Sequence, residues 1–157
     1  MRIDWTSLAP VGVDGKRELK WLLAGLTVAA VYSVYEFCAH YFGALDALYY
    51  HGAATRMGLI PGAVMADFSG LMVGCDGLFS LVCLVMHFLA VYHYMYHYQG
   101  AKAIYLMRRL PDGMELHRRC LTIPVAGLTA ALALLGLLGI IFYLVYIHCT
   151  PAQCLPV

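Results

Sequence analysis

An uncharged apolar stretch from Leu121 to Ile147 constrains the fold more than any other feature of the sequence. It exceeds the roughly 20 residues that a helix needs to cross about 30 Å of hydrocarbon. Two further stretches, 21–42 and 71–98, pass the same test. Because a lone segment in lipid must satisfy its own backbone hydrogen bonds, each is expected to be helical. The sequence therefore predicts an all-α integral membrane protein with three transmembrane helices.

Composition supports this class. Of the 157 residues, 62% are apolar and 12% are charged, against roughly 45–50% and 25% in soluble domains. A formal net charge of +1 lacks the basic surplus that is typical of nucleic-acid binding. The sequence contains no internal repeat, so residues 1–157 are predicted to form a single membrane domain. It also lacks a GxxxxGK[ST] phosphate loop, and we therefore do not expect it to hydrolyse ATP.

The distribution of Lys and Arg predicts the orientation. Of the ten cations, only Arg56 falls in the segment 43–70. The others precede the first stretch or lie in the segment 99–119. By the positive-inside rule the N-terminus and 99–119 are expected in the cytoplasm, with 43–70 and the C-terminus outside. The first stretch is longer than a secretory signal core and predicts a retained signal anchor.

The segment 99–119 predicts a compact cytoplasmic element. An amphipathic helix is expected over 102–110, a turn over 111–113 and a helical run over 114–119. The cations alone could be topology signals that reach lipid headgroups. Their mixture with acidic and apolar residues favours a protein partner instead. The candidate docking residues are Tyr105, Arg108, Arg109, Asp112, Glu115 and Arg118.

Acidic residues occur near the outer ends of the first two stretches. Glu36 and His40 are four residues apart, so they share one helix face. Asp76 is expected at a similar depth in the second stretch. Together they predict an intramembrane polar site that faces a substrate or is linked to proton movement. The alternative is that all three lie among headgroups or in water.

Two features of the third stretch and its tail concern association. Thr129, Ala133, Gly136 and Gly139 recur at helical spacing and predict a smooth face for packing against another helix. That helix could belong to this chain or to a partner. Cys149 and Cys154 flank a short tail that is expected outside the membrane, and they form a candidate disulfide.

The histidines favour an alternative function, a membrane anchor for a haem- or quinone-linked oxidoreductase. A b-type haem needs two axial nitrogens at matching depth. His87 is near mid-membrane but has no histidine at that depth on the other stretches. His93 and His97 likewise lack a partner histidine, and only His40 and His148 match in depth. The sequence therefore predicts no cofactor and no metal.

Three segments of the chain carry a resemblance. They are Tyr105-Leu-Met-Arg-Arg-Leu-Pro-Asp-Gly-Met-Glu-Leu-His-Arg-Arg-Cys120, Ala90-Val-Tyr-His-Tyr-Met-Tyr-His-Tyr-Gln99 and Cys149-Thr-Pro-Ala-Gln-Cys154. With them the chain resembles small three-span membrane proteins of Clostridia-type bacteria that are associated with ATP-binding-cassette (ABC) transporter components.

The resemblance implies a function. It suggests a non-catalytic transmembrane subunit whose 99–119 segment docks an ABC ATPase, much as a coupling helix does in an export-type permease. ATPase and permease subunits are the partners it implies, in a hetero-oligomer. The chain has three predicted spans where a permease half has about six, which favours an accessory subunit. An assembly factor is a further alternative.

Overall fold

The computed structural model describes residues 13–51, 56–99 and 114–155. Within them the chain is mostly helical, as expected for an all-α protein. Three helices are long and apolar enough to cross a membrane. In chain order the elements are α1 (Gly15–Asp46), β1 (Tyr49–His51), β2 (Arg56–Leu59), α2 (Phe68–Leu71), α3 (Gly77–Gln99), α4 (Glu115–Cys149) and a 3-10 turn at Ala152–Cys154.

Helix α1 begins six residues before the apolar stretch that predicts it. Asp14 accepts hydrogen bonds at Oδ1 from the backbone N–H groups of Lys16 (3.1 Å) and Arg17 (3.4 Å). This is the geometry of an N-cap, which satisfies donors that the first helical turn leaves unpaired. Residues 15–20, which precede the apolar stretch, therefore belong to the helix, and Glu18 lies in its first turn.

Helix α3 begins later than the expected residue 71. Residues 72–76 form turns between α2 and α3. Gly74 has a φ of 86°, a left-handed conformation that favours glycine and interrupts a helix. Asp76 consequently lies in the turn before α3 rather than inside a transmembrane helix.

Helix α4 extends beyond its predicted ends. Residues 115–119, predicted as a helical run, form its first turns, and the helix continues through Pro124 to Cys149. The predicted helix 102–110 and turn 111–113 lie outside the described residues.

The segment 43–70 contains a small antiparallel sheet that the sequence does not predict. β1 and β2 pair Tyr49 with Leu59 and Tyr50 with Gly58. The N–H of Ile60 also donates to the carbonyl of Leu48 at 2.9 Å. Strands this short depend on their tertiary surroundings, which explains why residue pattern alone does not reveal them.

Residues 1–28 and 79–133 form one compact unit, which we call the first unit. Its described helices approach closely at glycines. A methyl group placed on Gly127 would lie 2.6 Å from Sδ of Met86 and 3.2 Å from Cδ1 of Leu22. A methyl group on Gly25 would lie 3.7 Å from Cγ2 of Val82. Close contact across small residues is the usual way in which membrane helices gain packing energy.

Residues 29–78 and 134–157 form the second unit. Its core is rich in aromatic rings, and Phe37 stacks on Phe142 with ring centroids 4.2 Å apart. Two connecting segments are hydrogen-bonded to each other at this core. The N–H of Met65, before α2, donates to the carbonyl of Cys154, after α4, at 2.7 Å. The buried residues of the core are Phe37, Tyr41, Leu48, Met65, Leu71, Cys75, Phe142, Tyr146 and Cys154.

Candidate functional site

A fully buried imidazole connects the three long helices of the first unit. The His93 side chain on α3 has no exposed surface. Its Nδ1 lies 3.0 Å from the carbonyl oxygen of Cys120 on α4. Its Nε2 lies 2.9 Å from Oε1 of Glu18 on α1. Both ring nitrogens are therefore satisfied, as buried polar groups require.

Pro124 explains why the carbonyl of Cys120 can accept this bond. In a regular helix the carbonyl of residue 120 accepts from the N–H of residue 124. Proline has no N–H, so it leaves the carbonyl four residues earlier without its helical donor. Pro124 is fully buried in α4. The imidazole of His93 provides the donor that the helix lacks at this point.

The bonding pattern fixes the proton count of the pair. A carbonyl oxygen only accepts, so Nδ1 of His93 carries a hydrogen. The close approach of Nε2 to Oε1 of Glu18 requires one more proton between them. Whether that proton resides on nitrogen or oxygen, the pair as a whole has zero net charge. A neutral pair is much less costly to bury than either ion alone.

A cavity of about 400 Å³ lies beside this pair in the first unit. Its walls include Trp21, Gly25, Val82 and Val85, and they are apolar except for Glu18. The Oε2 atom of Glu18 is buried and has no hydrogen-bond partner among the described residues.

Sequence reasoning missed this site. The sequence predicts no partner histidine for His93, and its partners in the structure are instead a carboxylate and a backbone carbonyl. Glu18 precedes the first apolar stretch and carries no predicted role. Two signals were available in the sequence. Glu18 and His93 lie near the cytoplasmic ends predicted for their helices, and Pro124 marks the carbonyl of residue 120 as free.

The predicted site at Glu36 and His40 lies in the second unit. Nε2 of His40 is 3.9 Å from Oε2 of Glu36. Nδ1 of His40 lies 3.3 Å from the carbonyl oxygen of Leu71, the last residue of α2. Glu36 and His40 are thus partnered, and the contact of His40 joins α1 to the segment before α3.

Asp76 and Cys75 lie in the turn that follows α2. Asp76 is exposed, and Cys75 is fully buried. The thiol of Cys75 donates to the carbonyl of Leu71 at 3.7 Å. Burial raises the pKa of the Cys75 thiol above its ordinary value, and the carboxylates of Glu36 and Asp76 raise it further.

The predicted docking loop is only partly described. Tyr105, Arg108, Arg109 and Asp112 lie outside the described residues. Glu115 is the first residue of α4, and Arg118 is exposed on its second turn.

The predicted small-residue face of α4 is open. Thr129, Ala133 and Gly136 are exposed. A methyl group placed on Gly136 or Gly139 would meet nothing within 4 Å in the described part of the chain. The close packing of α4 in the first unit occurs at Gly127 instead.

The candidate disulfide does not form in this structure. Cys149 and Cys154 are both free thiols. Cys154 is buried in the core of the second unit, whereas Cys149 is exposed. The 3-10 turn at Ala152–Cys154 directs the chain so that Cys154 joins the core.

The described residues contain no group of three or more His, Cys, Asp or Glu side chains arranged to hold a metal ion. Comparison of the chain with known protein families, with curated proteins and with solved structures gives no significant match.

Proposed function

We propose that this chain is a non-catalytic transmembrane subunit of a bacterial ABC transporter complex in the plasma membrane. In this proposal the 99–119 segment lies in the cytoplasm and docks the ATPase, while the helices pack against permease subunits. The sequence resemblance and the clustering of cations support it. The structure contributes a separate argument that concerns the lateral faces of the helices.

His87 carries that argument. It lies near the middle of α3 and is exposed. Its Nδ1 donates to the carbonyl of Cys83 at 2.8 Å, and its Nε2 has no partner among the described residues. Ionisable side chains at membrane depth nearly always face protein or water rather than lipid. An exposed imidazole at this position is therefore explained by a neighbouring membrane chain that covers it.

The open glycine face of α4 supports the same conclusion. Gly136 and Gly139 permit close approach of a helix backbone, and the described part of the chain does not use that space. Small residues at helical spacing are typical of interfaces between membrane helices. A hetero-oligomer would bury both this face and His87.

The first test is purification of the tagged chain from its own membranes in a mild detergent, followed by mass spectrometry of the co-purifying chains. We expect an ABC ATPase and a permease. His87→Leu and Gly136→Leu should each reduce their recovery about tenfold, since one removes a polar contact and the other blocks close packing. Val91→Leu, at an exposed apolar position of α3, is the matched control and should change nothing.

The outcome also distinguishes the alternative anchor function. Copurification of an oxidoreductase with a haem absorbance band would overturn the transporter proposal in favour of a redox anchor. Recovery of the chain alone, unchanged by His87→Leu, would overturn assembly with any partner.

A second test addresses the docking segment. Reversing the charges of Arg109 and Glu115 should weaken ATPase association more than reversing Lys16 and Arg17, which are exposed at the start of α1. Disrupting a desolvated pair at an interface typically costs about 2–5 kcal/mol. Equal effects of the two double variants would show that the position of the changed charges does not matter and that the segment is not a docking site.

A further inference from the structure

We propose that the hydrogen bond between His93 and the carbonyl of Cys120 is a proton-dependent contact between α3 and α4. It is closed while His93 and Glu18 together hold two hydrogens, and it opens when the pair loses one of them. The contact is thus a pH-sensitive element of the first unit. This inference is independent of the proposed transporter function.

The count of hydrogens determines which contacts can form. Each ring nitrogen of His93 faces an acceptor on a different helix, the carbonyl oxygen of Cys120 at 3.0 Å and Oε1 of Glu18 at 2.9 Å. A carbonyl oxygen and an ionised carboxylate only accept, and a neutral imidazole carries one hydrogen. Loss of one proton from the pair therefore leaves a single hydrogen for two contacts.

The relative strength of the two acceptors decides which contact opens. A hydrogen bond to an ionised carboxylate is roughly twice as strong as one to a neutral carbonyl. The remaining hydrogen therefore stays on Nε2, and Nδ1 turns a lone pair toward the carbonyl oxygen of Cys120. Because the His93 side chain has no exposed surface, water does not replace the lost bond. The repulsion of two acceptors at this distance separates α3 from the start of α4.

Other titratable groups lie on the same helices. The His93 ring is flanked by Glu18 on α1 and by the ring of Tyr92 on α3, and Cys120 follows His117, Arg118 and Arg119 on α4. Arginines keep their charge in proteins, and thiols and phenols ordinarily lose their protons only above about pH 8. His117, whose Nδ1 lies 2.7 Å from the hydroxyl of Tyr94, is therefore the group to separate from the pair by mutation.

The unfolded chain sets the direction of the pH dependence. In an unfolded chain, histidine and glutamate have ordinary pKa values of about 6.5 and 4.3. Above about pH 6.5 they hold one hydrogen in total, against two in the closed pair, so that opening releases a proton. The contact is therefore complete between about pH 4.3 and pH 6.5 and is lost as the pH rises above that range. Its opening constant increases about tenfold for each pH unit until the closed pair itself loses the proton.

The thiol of Cys120 provides the measurement, because it is fully buried on the residue whose carbonyl is released. The full-length protein in phosphatidylcholine nanodiscs is treated with N-ethylmaleimide, and peptide mapping gives the labelling rates of Cys120 and of exposed Cys149. Their ratio removes the ordinary pH dependence of thiol reactivity. We expect the ratio to rise about tenfold between about pH 6.5 and pH 8.

Glu18→Gln is the matched variant. Its amide N–H can donate to Nε2 of a neutral ring while Nδ1–H still bonds the carbonyl of Cys120, so both contacts persist without a shared proton. The labelling ratio should then stay flat over the same pH range. His117→Gln is the control for the neighbouring histidine and should retain the rise of the parent protein.

Several results would overturn the proposal. A ratio that stays constant in the parent protein would show that the contact does not open. An equal rise in Glu18→Gln would show that the shared proton is not responsible, and loss of the rise in His117→Gln would assign it to the contact with Tyr94. Imidazole ¹⁵N spectra of the parent protein need no variant. The hydrogen on Nδ1 of His93 should disappear with the same midpoint as the labelling ratio, and its persistence would contradict the mechanism.

Discussion

The first unit buries a hydrogen-bonded imidazole between three helices, whereas the second unit stacks aromatic rings beneath its connecting segments. In the first unit His93 links Glu18 to the carbonyl of Cys120. In the second, Phe37 and Phe142 stack, and the hydroxyl of Tyr146 donates to the carbonyl of Ala66 at 3.0 Å. The polar bonds of the second unit thus involve a connecting segment, while those of the first join the helices directly.

The difference concerns what each unit gains from lipid. Apolar side chains gain little from helix association in a bilayer because lipid is as apolar as the protein interior. The aromatic core of the second unit is therefore stabilised mainly by dispersion and shape. The first unit depends on a pair of groups that neither lipid nor a helix alone can satisfy. The stability of the first unit should therefore respond strongly to single polar substitutions. Its helices should also be more selective than those of the second unit about which helices they pack against.

The largest expected effect is at His93. His93→Leu removes the partner of Glu18 and the donor to Cys120, and breaking a buried pair in this way costs about 3–5 kcal/mol. The free energy of unfolding in mixed micelles, titrated with sodium dodecyl sulfate, measures the loss.

The double variant Glu18→Leu/His93→Leu provides the matched comparison. It should recover more than half of that loss, because no carboxylate remains without its partner. If the double variant is less stable than His93→Leu, Glu18 stabilises the protein even without its hydrogen bond to His93. That result would contradict the claim that the first unit depends on a mutually hydrogen-bonded pair.

Phe142→Ala tests the second unit. The phenylalanine is 4% exposed and stacks on Phe37. We expect the free energy of unfolding to fall by about 2 kcal/mol, because the variant leaves a cavity and loses dispersion contacts. The additional cost of transferring the ring from the core to water largely vanishes when the surroundings are lipid. The same unfolding titration measures it. A loss larger than that of His93→Leu would reverse the predicted ranking.

Gly127→Ala examines the close contact in the first unit. The added methyl would require the side chains of Met86 and Leu22 to move. We expect the strain of that movement to exceed the stabilisation that alanine's higher helix propensity provides. We expect a net loss of about 1 kcal/mol. Gly136→Ala is the control, because nothing lies within 4 Å of its added methyl among the described residues. It should be neutral or slightly stabilising, and equal losses at both glycines would contradict the packing described.

The smallest effect concerns Cys75. Since burial and the carboxylates of Glu36 and Asp76 raise the pKa of this thiol above 9.0, it contributes to stability below pH 9, and that contribution is lost as the pH rises through the raised pKa. At pH 8 Cys75 should react with N-ethylmaleimide about a hundredfold more slowly than exposed Cys149. Peptide mapping by mass spectrometry measures both rates, and similar rates would show that the turn after α2 is open.

The sequence predicted the helices because apolar length alone decides what can span a bilayer. It did not predict the ends of the helices. The early start of α1 depends on the Asp14 cap, and the late start of α3 depends on the left-handed Gly74. The first is a side-chain hydrogen bond and the second a backbone conformation, and hydrophobic periodicity reveals neither.

The sites were predicted unevenly. Helical spacing was sufficient to pair Glu36 with His40. The contact between Glu18 and His93 joins residues 75 positions apart, and only the packing of the helices brings them together. Pro124 was a usable signal for the acceptor, although it does not identify the donor.

Pro124 also affects the order in which the chain can mature. While only α1 and α3 are inserted, the His93 imidazole can reach Glu18 but lacks the carbonyl of Cys120, so one ring N–H stays without its final acceptor. Arrival of α4 supplies that carbonyl, which proline has kept free of helical bonding. Both hydrogen bonds of the His93 ring can therefore form only when the last helix has inserted in the correct register. A shift of α4 by one residue would leave the imidazole facing a carbonyl that already has a donor.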